Sequence, residues 1–182
     1  MVDIANNEID IRRAFEECDV RALQTLVQTG RYEVDTFADH WRIQHEFDMS
    51  NFIEERFCKF MTYLVASGCN VTEKNRTGQT LLHKSPYSSL VRLYSDYGAD
   101  PDVVDMEGAT PIFRAVEANR PDVVRELIRC DADDRAVWRT QTPLGLSRTL
   151  SHKGCEDVLM STILGIGSLL RSEPLEGTGY SW

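Results

Sequence analysis

Residues 75–85 read NRTGQTLLHKS, and residues 105–115 read DMEGATPIFRA. Superposed, the two stretches place Gly78 over Gly108, Thr80 over Thr110 and the apolar Leu82 over Ile112, at a separation of 30 residues. Repetition at an interval of roughly 20 to 50 residues marks an array of stacked supersecondary units, each too small to bury its own apolar face. The superposition also bears on His83. Its equivalents are Phe113 and Gly145, so no histidine ladder runs through the array and no nucleophile is paired with this imidazole.

The register extends both ways. Amphipathic segments follow the two phrases, SSLVRLYSDYGADPDVVD at 88–105 and PDVVRELIRCDADDRAV at 121–137. Earlier segments share the pattern, DVRALQTLVQTGRYEVD at 19–35 and ERFCKFMTYLVASGCNVTEKN at 55–75. A last copy opens with TQTPLGLS at Thr140 and continues as EDVLMSTILG. Through GQTLLH, GATPIF, TQTPLG, YGADPDVVD and SGCNVTEKN the chain resembles the ankyrin repeat family. The resemblance implies an all-α solenoid of stacked helix-turn-helix units with extended finger loops, in about five units near 8–35, 36–74, 75–104, 105–138 and 139–170. Residues 171–182 are set apart as a C-terminal tail. In the resemblance His83 takes the slot whose imidazole ties adjacent loops together.

Local chemistry supports such a unit. Thr110 stands where a side-chain oxygen caps a helix start, and Pro111 takes the first helical position, where its missing N–H costs nothing. Ile112, Ala115 and Val116 are expected inward, with Arg114, Glu117 and Ala118 toward the concave side. Asn119 occupies a turn slot suited to positive φ. Val123, Val124, Leu127 and Ile128 recur at helical spacing as a buried stripe, leaving Arg125, Glu126 and Arg129 for solvent.

Other units depart from this one. The second has an enlarged loop, RYEVDTFADHWRIQHEF, and carries Phe47-Asp48-Met49-Ser50 where the opening phrase belongs. The third is short: Thr80 and Gly98 are 18 positions apart, whereas Thr110 and Asp131 are 21 apart. With Pro86 unsuited to a helix interior, its first helix is expected to end near Ser85, leaving a notch in the concave face. The fifth is read as having a shortened finger, with Trp138 near the slot that usually holds Asp, and a lengthened turn through SRTLSHKG. Its VLMSTILGIGSLL, 158–170, carries no charge, although a terminal cap needs a polar outer face.

The charge balance excludes whole classes of partner. With 20 Lys plus Arg against 29 Asp plus Glu, the formal charge of −9 disfavours nucleic acid and anionic membrane. No run of apolar residues reaches membrane-spanning length, and the polar, acidic start MVDIANNEID lacks a secretory pattern. Five dispersed cysteines without CxxC point to reduced thiols, hence to the cytosol or nucleus. His40 and His45 around Trp41, with Cys58 and Cys69, match no standard zinc spacing. No P-loop, GxGxxG, GxSxG or HExxH is present, so no cofactor, metal or catalytic residue is expected.

The resemblance implies a non-catalytic module that binds another protein through fingers and inner helices. The candidate contacts are Trp41, Arg42, Arg76, Thr77, Gln79, Met106, Glu107, Arg114, Glu117 and Trp138. Trp and Arg weigh most, because they dominate interface energetics; packing of both tryptophans under neighbouring fingers is the competing reading. A second class is assembly, with a partner subunit or a second copy docking on Leu159, Ile163, Ile166, Leu169 and Leu170. A narrower alternative is an IκB-like inhibitor of a Rel-type transcription factor, in a form without a DSG degron or an acidic C-terminal block.

Overall fold

The computed structural model describes residues 13, 14, 17–30 and 54–164. Their helices are α1 (Val20–Gln28), α2 (Glu54–Ala66), α3 (Leu81–Lys84), α4 (Ser88–Asp96), α5 (Pro111–Glu117), α6 (Pro121–Arg129), α7 (Pro143–Thr149) and α8 (Lys153–Ile163). The short helices α3, α5 and α7 stack as an inner row, and α2, α4, α6 and α8 stack as an outer row, with α1 against α2. Each neighbour supplies the apolar surface that a single pair lacks. Among the described residues the β-type pairing consists of one isolated bridge, Trp138 with Gln141. The architecture is an all-α solenoid with finger loops.

The core is the set of inward stripes. Leu82, Ile112 and Val116 from the inner row meet Leu64, Tyr94, Val124 and Leu127 from the outer row, all at most 1% exposed. Asn119 takes the positive φ expected of it, 52°, between α5 and α6. α3 is only four residues long and stops before Ser85, as Pro86 requires.

Three local expectations are corrected. Thr110 lends no side-chain hydrogen bond to α5, and its Oγ1 is buried without a partner; the helix starts there through Pro111 at its first position. Thr142 does cap its helix, accepting from the Gly145 N–H at 3.2 Å. Glu126 does not face solvent. It is 7% exposed and pairs with Arg129 at 3.3 Å, because α4 and α8 cover α6 from both sides and narrow its open face. The turn through SRTLSHKG is not lengthened either. α7 continues to Thr149, and the turn Leu150–His152 matches Ala118–Arg120 in length. Ser and Thr read as loop residues here only until Pro143 sets the helix start.

The last finger is a two-residue hairpin. Trp138 and Gln141 exchange backbone hydrogen bonds at 2.9 and 3.0 Å, while Arg139 and Thr140 at its tip have φ of 47° and 66°. Both central residues in the left-handed region suit a type I′ turn, for which Asn-Gly is the favoured pair. A β-branched residue held there is strained by roughly 1–2 kcal/mol. Thr140→Gly is therefore expected to stabilise the protein by about 1 kcal/mol, raising the melting temperature by about 2–4 °C. Thr140→Ala, which keeps a Cβ at positive φ, should fall short of that gain in the same thermal melt.

Candidate functional site

Two successive fingers are each built around one polar side chain at the base. Asn75 Oδ1 accepts from the N–H groups of Thr77 and Gln79 at 3.0 and 2.8 Å. Asp105 repeats this one unit on, accepting from Glu107 and Ala109 at 2.9 and 3.0 Å. The fingers are then laced together: Met106 N–H donates to the Thr77 carbonyl at 3.0 Å, directly beside Gly78. Gly78 has φ +75°, and a Cβ there would lie 2.9 Å from Met106 N, so the seam needs glycine.

His83 fastens the same seam from below. It is 6% exposed; Nδ1 accepts from the Thr80 N–H at 3.0 Å, so Nε2 carries the proton and donates to the Ala109 carbonyl at 3.1 Å. Burial pushes its pKa below the ordinary 6.5, against the Ala109 hydrogen bond and the Asp105 charge, with Arg114 and Lys74 adding to the depression. A histidine whose folded pKa is depressed binds its proton more readily when unfolded. Its contribution is complete above pH 6.5 and is lost as pH falls from there through the folded value. Thermal melts of the wild type should show that loss below pH 6.5, and His83→Gln should flatten the slope in that window.

Arg114 was expected to look toward a partner. It is instead engaged within the array, its side chain 17% exposed. Nε and Nη2 both donate to Asp105 Oδ2, at 2.9 and 2.7 Å, and Nη1 donates to Glu117 at 2.7 Å. Nη2 also lies 3.2 Å from Glu107. The Asp105 side chain is 1% exposed. Burial pushes this carboxyl up, but the donors from Arg114, Ala109 and Glu107 outweigh it and hold it below its ordinary range. Burial likewise opposes the Arg114 charge, and its three carboxylate partners more than restore it.

Trp138 belongs to the same node. At 6% exposure it packs beneath the finger, tilted on Phe113 with ring centroids 5.5 Å apart, and Nε1 donates to the Glu107 carbonyl at 2.7 Å. The guanidinium groups of Arg114 and Arg139 lie 5.1 and 4.4 Å from its ring. As a freely offered aromatic anchor Trp138 is therefore corrected: the indole fills the slot next to a finger and joins the fifth unit to the fourth.

The other candidate positions fall into groups. Arg76, Thr77, Met106 and Glu107 are exposed at successive fingertips, Gln79 is half-buried beside them, and Glu117 is exposed on α5 below. Trp41 and Arg42, like His40 and His45, lie outside the described residues. Of the apolar C-terminal set, Leu159 is 1% exposed and faces the core, whereas Ile163 is 50% exposed at the end of α8. Leu159 is thus corrected from docking surface to core; Ile166, Leu169 and Leu170 lie outside the described residues. Sequence reading missed Asp105 and Arg139. Asp105 had a visible signal, since it stands five places before Thr110 as Asn75 does before Thr80.

Among the described residues, no group of three or more His, Cys, Asp or Glu side chains is placed to hold a metal ion, and no helix is long and apolar enough to cross a membrane.

Residues 51–137 match the family model for ankyrin repeats, in three copies. The matched segment holds α2 to α6 and the fingers that Asn75 and Asp105 organise, and α7 and α8 repeat the same geometry beyond it. Residues 51–137 are thus ankyrin repeats. Ankyrin repeats generally mediate protein–protein interaction and are typically non-catalytic. A comparison with curated proteins gives no match.

Proposed function

We propose that this chain is an adaptor-type, non-catalytic module that holds one protein partner along its fingertips and the concave face of its inner helices. The observation that carries this reading is Met106. It is 76% exposed at a fingertip, with Val104 two residues before it 50% exposed, while Ala109, Ile112 and Phe113 behind the tip are at most 1% exposed. A large, adaptable apolar side chain held outward on a rigid loop is the kind of group that partner surfaces cover. Arg76 flanks it on the preceding tip and Glu107 on its own, whereas Arg114 and Trp138 support the face from behind. The proposed compartment is the cytosol or nucleus, supported by five free thiols; burial raises Cys18, Cys69 and Cys155 to about 11, making them poor thiolates.

The test is affinity capture from the native source with the wild-type chain and with an Arg76→Glu/Met106→Ser variant. Both positions are exposed, so the variant should melt like the wild type. Loss of a captured partner from the folded variant supports the finger face; undiminished capture contradicts it.

A second reading has its own observation. Ile163 and Leu164, at the C-terminal end of α8, are 50% and 63% exposed, which favours docking of a subunit or second copy there. Sedimentation decides this one: a concentration-dependent dimer that Ile163→Glu abolishes supports assembly, and a strict monomer speaks against self-association.

A further inference from the structure

We infer that residues 165–170 turn back from the end of α8 and cover the open end of the array, Ile166 seated on Met160 and the Leu169-Leu170 pair reaching Leu144. These residues lie outside the described ones; the inference rests on how the preceding outer helices end and is independent of the finger-face reading. Three outer helices end alike. The Gly68 and Cys69 N–H groups donate to the Val65 and Leu64 carbonyls, both at 3.1 Å, at the end of α2. Gly98 and Ala99 donate to Ser95 and Tyr94 at 3.0 and 2.9 Å after α4, and Asp131 and Ala132 to Ile128 and Leu127 at 3.1 and 3.0 Å after α6. Each is a Schellman motif, in which a left-handed residue reverses the chain and the apolar residue after it folds onto the last turn. Gly68, Gly98 and Asp131 have φ of 97°, 90° and 64°, and Cys69, Ala99 and Ala132 are at most 9% exposed. The same signal stands after α8: its cap Leu164 donates its N–H to the Met160 carbonyl at 3.0 Å, and Gly165 and Ile166 follow. Here the residue that folds back is a large one.

What it meets is a stacking face left open. Superposing Pro143 on Pro111 and Lys153 on Pro121 puts Leu144, Arg148, Glu156 and Met160 in the slots of Ile112, Val116, Val124 and Ile128. Those four are at most 6% exposed, with α7 and α8 stacked on α5 and α6. Their equivalents in the last unit are not closed off: Leu144, Glu156 and Met160 are half-buried and Arg148 is exposed. Arg148 Nε donates to Glu156 at 3.1 Å, and its Nη2 lies 3.3 Å from Met160 Sδ. A sixth unit, or a second copy stacked in its place, would enclose that ion pair and bear its desolvation. A short segment crosses the apolar margin and leaves the pair in water. α8 also passes the slot where Asp131 turns the fourth unit into its finger, running 11 residues against nine in α4 and α6. The reach suffices, since six extended residues span about 20 Å and packed helices lie roughly 8–10 Å apart. Residues 158–170 carry no charge, so the cover itself buries none.

The test uses the full chain. Ile166→Asp should accelerate hydrogen exchange in the last turn of α8 about tenfold, the loss of one buried apolar contact, and leave α4 unchanged. Gly165→Val, a β-branched residue where positive φ is needed, should do the same, whereas Gly165→Asn should stay close to wild type. Met160→Ala and Ile166→Ala should each lower the melting temperature, and the double variant should lower it by less than the two shifts added, because the residues touch. Exchange and melting as in wild type for Ile166→Asp and Gly165→Val would show that the segment is not seated and overturn the inference, as would strictly additive shifts. Sedimentation of the same proteins separates the occupants: a wild-type monomer at all concentrations supports the chain's own segment, and a dimer that Ile166→Asp dissolves would give the face to a second copy and overturn it.

Discussion

Arg114→Ala is expected to destabilise the protein by about 3–5 kcal/mol, on the order of 10 °C in melting temperature. The cost lies less in the lost arginine than in what it leaves behind. Asp105 has a side chain 1% exposed, and two of its strongest donors are Arg114 Nε and Nη2, at 2.9 and 2.7 Å. Without them a buried carboxylate keeps only the backbone donors of Glu107 and Ala109. Protonation then becomes the easier course, so acid sensitivity should change as well. In the wild type the Asp105 pKa is held below 3.8, and its contribution persists above that value and is lost as pH falls beneath it. The variant should lose this stabilisation at neutral pH and show a shallower acid transition. Asp105→Asn combined with Arg114→Met should recover much of the loss, because a neutral pair of similar volume does not strand a charge. Thermal melts of the wild type and the two variants at two pH values check the account; an Arg114→Ala protein as stable as wild type would place Arg114 outside the framework.

Trp138→Ala should cost about 3–5 kcal/mol by loss of buried ring volume. Three contacts go together: the face against Phe113, the Nε1 hydrogen bond to Glu107 and the ring under Arg139. Trp138→Phe, which keeps a ring but no donor, should cost about 1 kcal/mol. In a solenoid, stability is a sum of neighbouring interfaces, so the damage should be local. Hydrogen exchange in the alanine variant should accelerate first in α7 and α8, while α4 and α6 keep their protection. Uniform acceleration across the chain would show that the fifth unit is not joined through this indole. The two alanine variants touch the same node, so their effects should not add.

The repeat was legible because spacing carries it. Gly78 over Gly108 and Thr80 over Thr110 already specify a finger followed by a helix, and Pro111, Asn119 and Pro121 set the helix limits found in the structure. Even the stunted α3 could be read, since Pro86 excludes a longer helix. What the sequence hid was the difference between a charge that meets solvent and one that meets another charge. Arg114 and Glu126 stand at positions that face outward on an isolated helix, yet one folds onto Asp105, nine residues earlier, and the other is enclosed by adjacent outer helices. Trp138 was ambiguous for the same reason. Its role depends on a carbonyl 31 residues away, which no local pattern reports. For the candidate contact face, the tips Arg76 and Met106 follow from the finger register alone, whereas separating them from Arg114 and Trp138 required knowing which neighbours those two had already taken.

The most direct measurement is hydrogen–deuterium exchange of the full chain, alone and in complex with its captured partner. The account predicts new protection at residues 75–79 and 105–109 and along α5, with α8 unchanged. Protection confined to Lys153–Ile163, with the fingertips exchanging as in the free chain, would contradict it and move the partner to the C-terminal end of the solenoid.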